Sequence, residues 1–233
     1  MALTVVKLGG SLHRDPALRD WLQMLADAGR GQVVIVPGGG GFADLVREHQ
    51  AHWHFDDLAA HNMAVLAMMQ SALLMKALAA DLVLAAAPAA IKRALRDRRV
   101  ALWLPRRWLR SEADDMTHWG ATSDSLAAAL AGTLGADRLV LVKSCEIQPG
   151  LDLAAQAALG VVDADFCRIA AQARIAIDLL GRTEVSRLRL LLGGDAPRPP
   201  VVAGSEGSGR RLRGRQNTGA RPASRSLRAR RPA

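Results

Sequence analysis

The chain has 233 residues, half of them hydrophobic, and a formal net charge of +9. Most of this charge lies from Asp195 onward, where there are ten arginines and two acidic residues, so the preceding part is close to neutral. Apolar runs are soon interrupted by charge or proline and no leader precedes them, so we expect neither a spanning helix nor a signal peptide. Two cysteines, Cys145 and Cys167, lack metal-binding or disulfide spacing and favour a reduced, cytoplasmic setting.

The first predicted strand ends in a turn that can hold a phosphate group. Leu3 to Val6 is a short apolar run that leads through Lys7 into a turn of small residues: Gly9, Gly10 and Ser11. Helical spacing follows from Pro16 to Ala28. Glycines let backbone N–H groups approach an anion, and ligands bind at the carboxyl ends of strands in open α/β sheets. An ordinary strand–turn–helix with a surface lysine is the alternative.

A second glycine turn follows the second predicted strand, Gln32 to Val36, and precedes helical sequence from Phe42 to His49. The turn contains four consecutive glycines: Gly38, Gly39, Gly40 and Gly41. Two such loops side by side can hold two phosphoryl groups, one from a donor and one from an acceptor. The run also fits the dinucleotide fingerprint G-x-G-x-x-A, but that fingerprint usually follows the first strand of a βαβ unit.

A long helix is predicted from Asp56 to Ala80, with Asp56 or Asp57 as its N-cap. Its methionine-rich stripe is typical of a protein core or a subunit interface. His61 lies on this helix, on the expected acceptor side of the sheet. We interpret it either as a hydrogen-bonded interior residue or as a donor to the phosphate of the acceptor.

The rest of the chain alternates between strands and helices. Further strands are predicted at 82–84, 100–104, 138–143 and 175–180, and further helices at 91–98, 122–134, 163–173 and 183–192. This alternation predicts a three-layer α/β/α sandwich with a mainly parallel open sheet. The polar stretch 106–120 has no regular pattern, and it carries the aromatic and charged groups often found in functional loops, among them His118 and Trp119.

A third polar cluster begins the helix at 122–134, with Thr122, Ser123 and Asp124. Lys7 and Lys143 both end predicted strands, so they point toward the same rim. Phosphoryl transfer depends mainly on positioning and charge neutralisation, which lysines, backbone N–H groups and Mg²⁺ can provide. Asp124 can orient both lysines or hold the metal. The Walker A pattern is absent from the sequence, so a P-loop enzyme is not expected.

Three motifs together resemble the amino acid kinase family, which includes aspartate, acetylglutamate and uridylate kinases. They are VVKLGGSL at 5–12, VIVPGGGGFAD at 34–44 and TSDSLAAALAGTLGADRLVLVKS at 122–144. The resemblance implies a three-layer α/β/α fold, ATP with Mg²⁺, and in-line transfer without a covalent intermediate. It implies catalytic roles for Lys7 and Asp124, and Lys143 is the candidate second lysine by position.

The remaining site residues come from the same motifs, except for His61, which is proposed from its place on the long helix. The expected cofactor contacts are Gly9, Gly10, Ser11, Thr122 and Ser123. The expected acceptor contacts are Gly38, Gly39, Gly40, Gly41 and His61. No residue is assigned as a metal ligand, and a homo-oligomer that does not bind a membrane is expected.

Within the family, three stretches are similar to a branch that phosphorylates an aminomethylfuran-methyl phosphate during synthesis of methanofuran-type one-carbon cofactors. They are AAHNMAVLAMMQ at 59–70, LWLP at 102–105 and WGATSDSLAAALA at 119–131. This similarity implies a phosphomonoester acceptor that becomes a diphosphate ester. A uridylate- or amino-acid-type kinase, and a protein that binds nucleotides or oxyanions without turnover, remain alternatives.

The composition changes sharply at residue 195. We therefore expect a kinase-like domain at 1–194 and a disordered, arginine-rich tail at 195–233, because the tail has too few large apolar residues to form a core. We interpret the tail as a solvated extension. The alternative is non-specific binding of nucleic acid through its charge.

Overall fold

A single parallel sheet organises the computed structural model, which describes residues 2–193; the predicted tail lies outside this range. The strands are β1 (Thr4–Leu8), β2 (Val33–Pro37), β3 (Val83–Ala85), β4 (Ala101–Trp103), β5 (Arg138–Lys143) and β6 (Ala176–Gly181). Their order is β3-β4-β2-β1-β5-β6, and every neighbouring pair is parallel. The first strand of the chain is therefore central, with β2 on one side and β5 on the other.

Helices cover both faces of this sheet. They are α1 (Ala17–Ala28), α2 (Gly40–Trp53), α3 (Asp57–Leu78), α4 (Pro88–Arg96), α5 (Ser123–Leu134), α6 (Leu153–Ala158), α7 (Phe166–Ala173) and α8 (Val185–Gly193). Alternate strand residues enter two hydrophobic clusters, one with α4, α5 and α7 and the other with α1 and α8. This confirms the predicted three-layer α/β/α class.

Helix α3 is the long, methionine-rich helix expected from the sequence. Asp56 is its N-cap, because the carboxylate accepts a hydrogen bond from the Ala59 N–H at 2.8 Å. Met68 and Met75 are buried in the core, whereas Met63 is exposed. By length and composition alone α3 could cross a membrane, a test that the core helix of a globular protein also passes, and its buried face lies in the two core clusters.

Element boundaries differ from the expectations mainly near the glycine turns. Helix α2 begins inside the second turn at Gly40, and a 3₁₀ helix at Gly10–Arg14 precedes α1. The short helix α6 was not predicted. Helix α7 begins at Phe166 rather than at Asp163, because the Asp163 side chain is bonded to the start of α5 instead.

Candidate functional site

The carboxyl ends of β1, β2 and β5 meet at one edge of the sheet. The Gly9 N–H donates to the Val142 carbonyl at 3.0 Å, and the Gly38 N–H donates to the Leu8 carbonyl at 2.9 Å. Each glycine turn is thus tied to the strand beside it. The residues predicted from the three motifs therefore converge at this edge, as expected for an open parallel sheet.

The two glycine turns touch each other directly. A Cβ on Gly10 would lie 2.1 Å from the Gly40 nitrogen, and a Cβ on Gly38 would lie 2.4 Å from the Gly10 nitrogen. Gly40 also has a φ of +55°, which other residues rarely adopt. The glycines therefore allow the two turns to lie in direct contact, side by side as expected.

Three charged side chains form a buried cluster at the same edge of the sheet. Lys7 Nζ lies 2.7 Å from Asp124 Oδ1, and Lys143 Nζ donates to Asp124 Oδ2 at 2.6 Å. Lys7 and Asp124 are only 4% and 3% exposed. Each oxygen of the carboxylate thus has its own lysine, and the cluster keeps one positive charge in excess.

The pKa values of this cluster reflect burial and mutual charge. Burial alone would raise the pKa of Asp124, but Lys7 and Lys143 together hold it below its usual value. Burial and the charge of Lys7 lower the pKa of Lys143, although Asp124 opposes this effect. Asp124 therefore stays ionised at neutral pH, and Lys143 releases its proton more readily than an ordinary lysine.

The start of α5 is capped by a residue from far along the chain. Asp163 Oδ2 accepts hydrogen bonds from the Thr122 N–H, the Thr122 hydroxyl and the Ser125 N–H at 2.8, 2.9 and 3.0 Å. Its Oδ1 accepts from the Ser125 hydroxyl at 2.5 Å. Thr122 is the N-cap residue, and Asp124 is the second residue of the helix. The Thr122 donors expected to meet the cofactor are occupied by Asp163.

A cavity of about 240 Å³ opens beside the cluster. Its walls come from the two glycine turns, from α2 and α3, and from the segment 118–123. Among the predicted site residues, those in the wall are Gly10, Ser11, Gly39, Gly40, His61, Thr122 and Ser123. The wall adjoins the charged cluster, because Ser123 precedes Asp124 and the Ser11 hydroxyl lies 2.5 Å from that of Ser144, next to Lys143.

The outer part of the cavity carries an aromatic ring and several charges. The Trp119 indole N–H donates to Gln50 at 2.6 Å, and the Arg47 guanidinium lies 4.2 Å from the centre of the indole ring. Arg47 is also paired with Asp44 at 2.8 Å, and Gln50 donates to Asp57 at 2.8 Å. The irregular loop predicted to carry function thus contributes a wall of this cavity through Trp119 and His118.

His61 is the hydrogen-bonded interior residue that one of the two interpretations expected. It is 8% exposed, its Nε2 donates to the Trp108 carbonyl at 2.9 Å, and it lines the cavity. The hydrogen bond to a carbonyl identifies Nε2 as a protonated nitrogen, and a donor role toward the acceptor phosphate stays a prediction. The structure therefore places a hydrogen-bonded interior histidine at the cavity wall.

The residues present suit a bound phosphate chain better than a metal held by the protein alone. Excess positive charge on buried lysines and nearby glycine N–H groups is suited to phosphate oxygens. Within residues 2–193, no group of three or more His, Cys, Asp or Glu side chains is placed to hold a metal ion. Mg²⁺ commonly binds through one or two carboxylates and the phosphates of a substrate, so this donor set is compatible with it.

Sequence reasoning missed several residues that shape the site. Asp163, Gln50 and Arg47 lie outside the three motifs, and Ser144 ends the third motif but was assigned no role from it. Asp163 bonds to residues 38 and 41 positions earlier, and Ser144 to one 133 positions earlier. The polar character of the 106–120 loop gave a signal, and His118 and Trp119 of this loop line the cavity, while a functional role for the loop stays a prediction.

The parallel α/β/α fold and the lysine–aspartate cluster suit one class of protein. Comparison with known protein families identifies that class. A model described as the amino acid kinase family matches residues 2–146. The chain belongs to the amino acid kinase family, which confirms the resemblance drawn from its three motifs.

Individual relatives refine this placement. The chain is 31% identical over 128 residues to a Methanocaldococcus jannaschii protein named 5-(aminomethyl)furan-3-ylmethyl phosphate kinase. This similarity covers 53% of the chain and 57% of the relative, so the chain spans a little over half of that protein.

Solved structures of other proteins share the fold. Uridylate kinase from Archaeoglobus fulgidus has a TM-score of 0.62 and 16% identity, covering 84% of this chain and 97% of that one. UMP kinase from Bacillus anthracis has a TM-score of 0.62 and 14% identity, covering 83% and 92%. Aspartate kinase from Synechocystis has a TM-score of 0.59 and 17% identity, covering 87% and 40%.

Proposed function

We propose that this protein is an ATP-dependent kinase that transfers the γ-phosphoryl group to a small phosphomonoester. The observation that carries the proposal is the buried cluster of Lys7, Asp124 and Lys143, with two cations for one carboxylate. A protein of this family that only bound an anion would need the glycine turns but not a carboxylate that aligns two lysines.

The chemistry needs little beyond positioning and charge. A phosphate oxygen of the acceptor attacks the γ-phosphorus, the bond to the bridging oxygen breaks, ADP leaves, and a diphosphate ester forms. The attacking oxygen is already anionic, so no general base is required. Lys7 and Lys143 neutralise the charge on the transferring group, and Asp124 keeps both ammonium groups in place. Bound Mg²⁺ supplies further charge neutralisation through the phosphate oxygens.

We propose an aminomethylfuran-methyl phosphate as the acceptor, with a role in the synthesis of a methanofuran-type cofactor. The name of the Methanocaldococcus jannaschii relative supports this choice. The cavity also suits the parts of such a molecule: glycine N–H groups for the phosphate, the Trp119 indole for a flat ring, and the carboxylate of Asp57 for an ammonium group.

The test is a phosphoryl-transfer assay with ATP and Mg²⁺ against a panel of acceptors. The panel contains the aminomethylfuran-methyl phosphate, the same compound without its amine, UMP, and the free amino acids aspartate and glutamate. We expect ADP release and a diphosphate product with the first compound. Turnover of UMP or an amino acid alone would contradict the acceptor and favour the other kinase types. Tight binding of ATP without turnover of any acceptor would contradict the kinase proposal.

We also propose that the chain acts in the cytoplasm as a homo-oligomer. The support is a set of large apolar side chains exposed on α2 and α3: Phe42, Leu45, Trp53, Leu66 and Leu73. Exposed apolar surface of this kind is typical of an interaction site. Light scattering on the purified full-length chain should give a mass that is a multiple of 24.8 kDa. A mass of a single chain at micromolar concentration would contradict this proposal.

A further inference from the structure

Asp163 caps the start of α5 although it lies far along the chain from that helix. Its carboxylate accepts four hydrogen bonds, two from Thr122 and two from Ser125, at 2.5 to 3.0 Å. The Thr122 side chain makes no capping bond of its own. A carboxylate at a helix N-terminus is favoured by the unpaired N–H groups and by the helix dipole. The first turn of α5 is therefore held from outside the helix.

Asp124 lies between Thr122 and Ser125, the two residues that donate hydrogen bonds to Asp163. Its carboxylate must stay within 2.7 Å of Lys7 and 2.6 Å of Lys143 in a buried position. A displacement of about 1 Å at a reacting centre can lower a rate by about 10²-fold. The backbone on both sides of Asp124 is bonded to Asp163, so Asp163 limits how far Asp124 can move.

The same segment also supports the cavity wall. The Asp165 N–H donates to the Gly120 carbonyl at 2.9 Å, and the Asp165 carboxylate lies 3.1 Å from His118 Nε2. His118 lines the cavity. Residues 163–165 therefore contact the 118–123 wall at His118, Gly120 and Thr122. These contacts come from outside the region that matches the family model, which ends at residue 146.

We propose that Asp163 is a positioning residue of the active site, which holds Asp124 between the two lysines by fixing the first turn of α5. The inference rests on the proposed function, because turnover is one of its readouts. Asp163 acts through Asp124 and touches neither lysine. The four donors need two acceptor oxygens, and the carboxylate of Asp163 provides both.

A matched control is available in the same part of the chain. Asp152 caps α6, where its carboxylate accepts from the Ala155 N–H at 2.8 Å. Both Asp152→Ala and Asp163→Ala remove a capping carboxylate, so both should lower stability. Only Asp163→Ala should lower kcat, by about 10- to 100-fold below the melting temperature. Asp163→Asn keeps one acceptor oxygen and should lose less, which provides a second variant if Asp163→Ala does not fold.

Coupling to Asp124 is tested by a double-mutant cycle. Asp124→Asn should already lose the function that Asp163 supports, so adding Asp163→Ala should cause little further loss of kcat. Fully additive losses would overturn the proposal. Equal losses of kcat in Asp152→Ala and Asp163→Ala would also overturn it, because they would indicate a general loosening of the fold.

An NMR titration separates this inference from the proposed function. The chain has four lysines, so ¹³C-lysine spectra of the full-length protein are simple. Asp124 raises the pKa of Lys143 in the intact site. If Asp163→Ala displaces Asp124, Lys143 should titrate at a lower pH, whereas Asp152→Ala should leave it unchanged. This result holds whether or not any acceptor is turned over. An unchanged Lys143 titration in folded Asp163→Ala would overturn the inference alone.

Discussion

Two buried charge clusters share strand β5 and differ in their balance. At the start of the strand, Arg138 is paired with Asp178 of β6, and both side chains are 9% exposed. At its end, Lys143 shares the Asp124 carboxylate with Lys7. The first cluster has one cation for one anion, whereas the second has two cations for one anion.

This difference separates a structural pair from the proposed binding site. Buried charges are unfavourable unless they are paired, so an unbalanced cluster is most stable when an anion binds to it. The Arg138–Asp178 pair is complete within the chain and needs no ligand. The lysine cluster has unused capacity for a phosphate group. The four predictions below test this contrast.

The largest expected effect is on stability at the balanced pair. Arg138→Ala should lower the free energy of unfolding by about 3 to 5 kcal/mol, because Asp178 is left buried and unpaired. Chemical denaturation measures this change. Turnover measured below the melting temperature should stay near that of the wild type.

The matched test replaces both partners at once. Arg138→Met combined with Asp178→Leu should restore most of the lost stability, because a buried ion pair can be replaced by apolar packing. If Arg138→Ala instead abolished turnover in the folded protein, the structural interpretation of this pair would be wrong.

At the unbalanced cluster, the effect should fall on activity. Lys7→Ala should lower kcat by about 10²-fold or more, because the charge that neutralises the transferring group is lost. Asp124 keeps Lys143 as a partner, so stability should change much less than in Arg138→Ala. Lys76→Ala is the control, since Lys76 donates only to the carbonyls of Ala80 and Leu82 at the end of α3. Similar kinetics in the two lysine variants would contradict the assigned role of Lys7.

A titration of Lys143 tests the excess charge directly. Burial and Lys7 lower the pKa of Lys143, so Lys7→Met should raise that pKa by removing one of these two causes. The folded chain releases this proton at a lower pH than the unfolded chain. The unfavourable burial of the charge is therefore fully present below the lowered pKa of Lys143 and is relieved as the pH rises through that pKa toward the usual value of a lysine. A Lys143 pKa unaffected by Lys7→Met would mean that the two ammonium groups do not interact.

The smallest expected effect concerns two polar residues of α3, only one of which lines the cavity. His61 and Asn62 both attach α3 to the 108–110 loop, His61 through the Trp108 carbonyl and Asn62 through the backbone of Arg110. Only His61 lines the cavity. His61→Ala should raise the KM for the phosphomonoester several-fold and leave the KM for ATP nearly unchanged. Asn62→Ala should change stability alone. Parallel behaviour of the two variants would favour a purely structural His61.

The sequence predicted the framework of this site well, because its signals are local. Val5 and Val6 and the run at 33–36 are continuous apolar stretches that end in glycine, which is the pattern of strands buried on both faces. The resemblance assigned Lys7 and Asp124, and the position of Lys143 at a strand end was enough to place it beside them. The structure brings these three residues together, and their catalytic roles stay predictions.

The contacts that complete the site could not be predicted in the same way. The four bonds to Asp163 join residues about 40 positions apart, and no spacing rule links a loop aspartate to a distant helix start. The Arg47–Trp119 contact depends on how α2 meets the 118–123 segment. The close approach of Gly10 to Gly40 likewise follows from the strand order, which the sequence did not predict.

The central position of β1 has a consequence for biosynthesis. Thr4 of β1 pairs with Val33 on one side but with Arg138 on the other, so during synthesis β2 is available to pair with β1 well before β5 has been made. At about 5 to 20 residues per second, roughly ten seconds separate the two events. During this interval one edge of an apolar strand has no neighbour, which makes the nascent chain prone to aggregation. We therefore expect the yield of folded protein to depend on translation speed and chaperone supply more than on the stability of the finished domain.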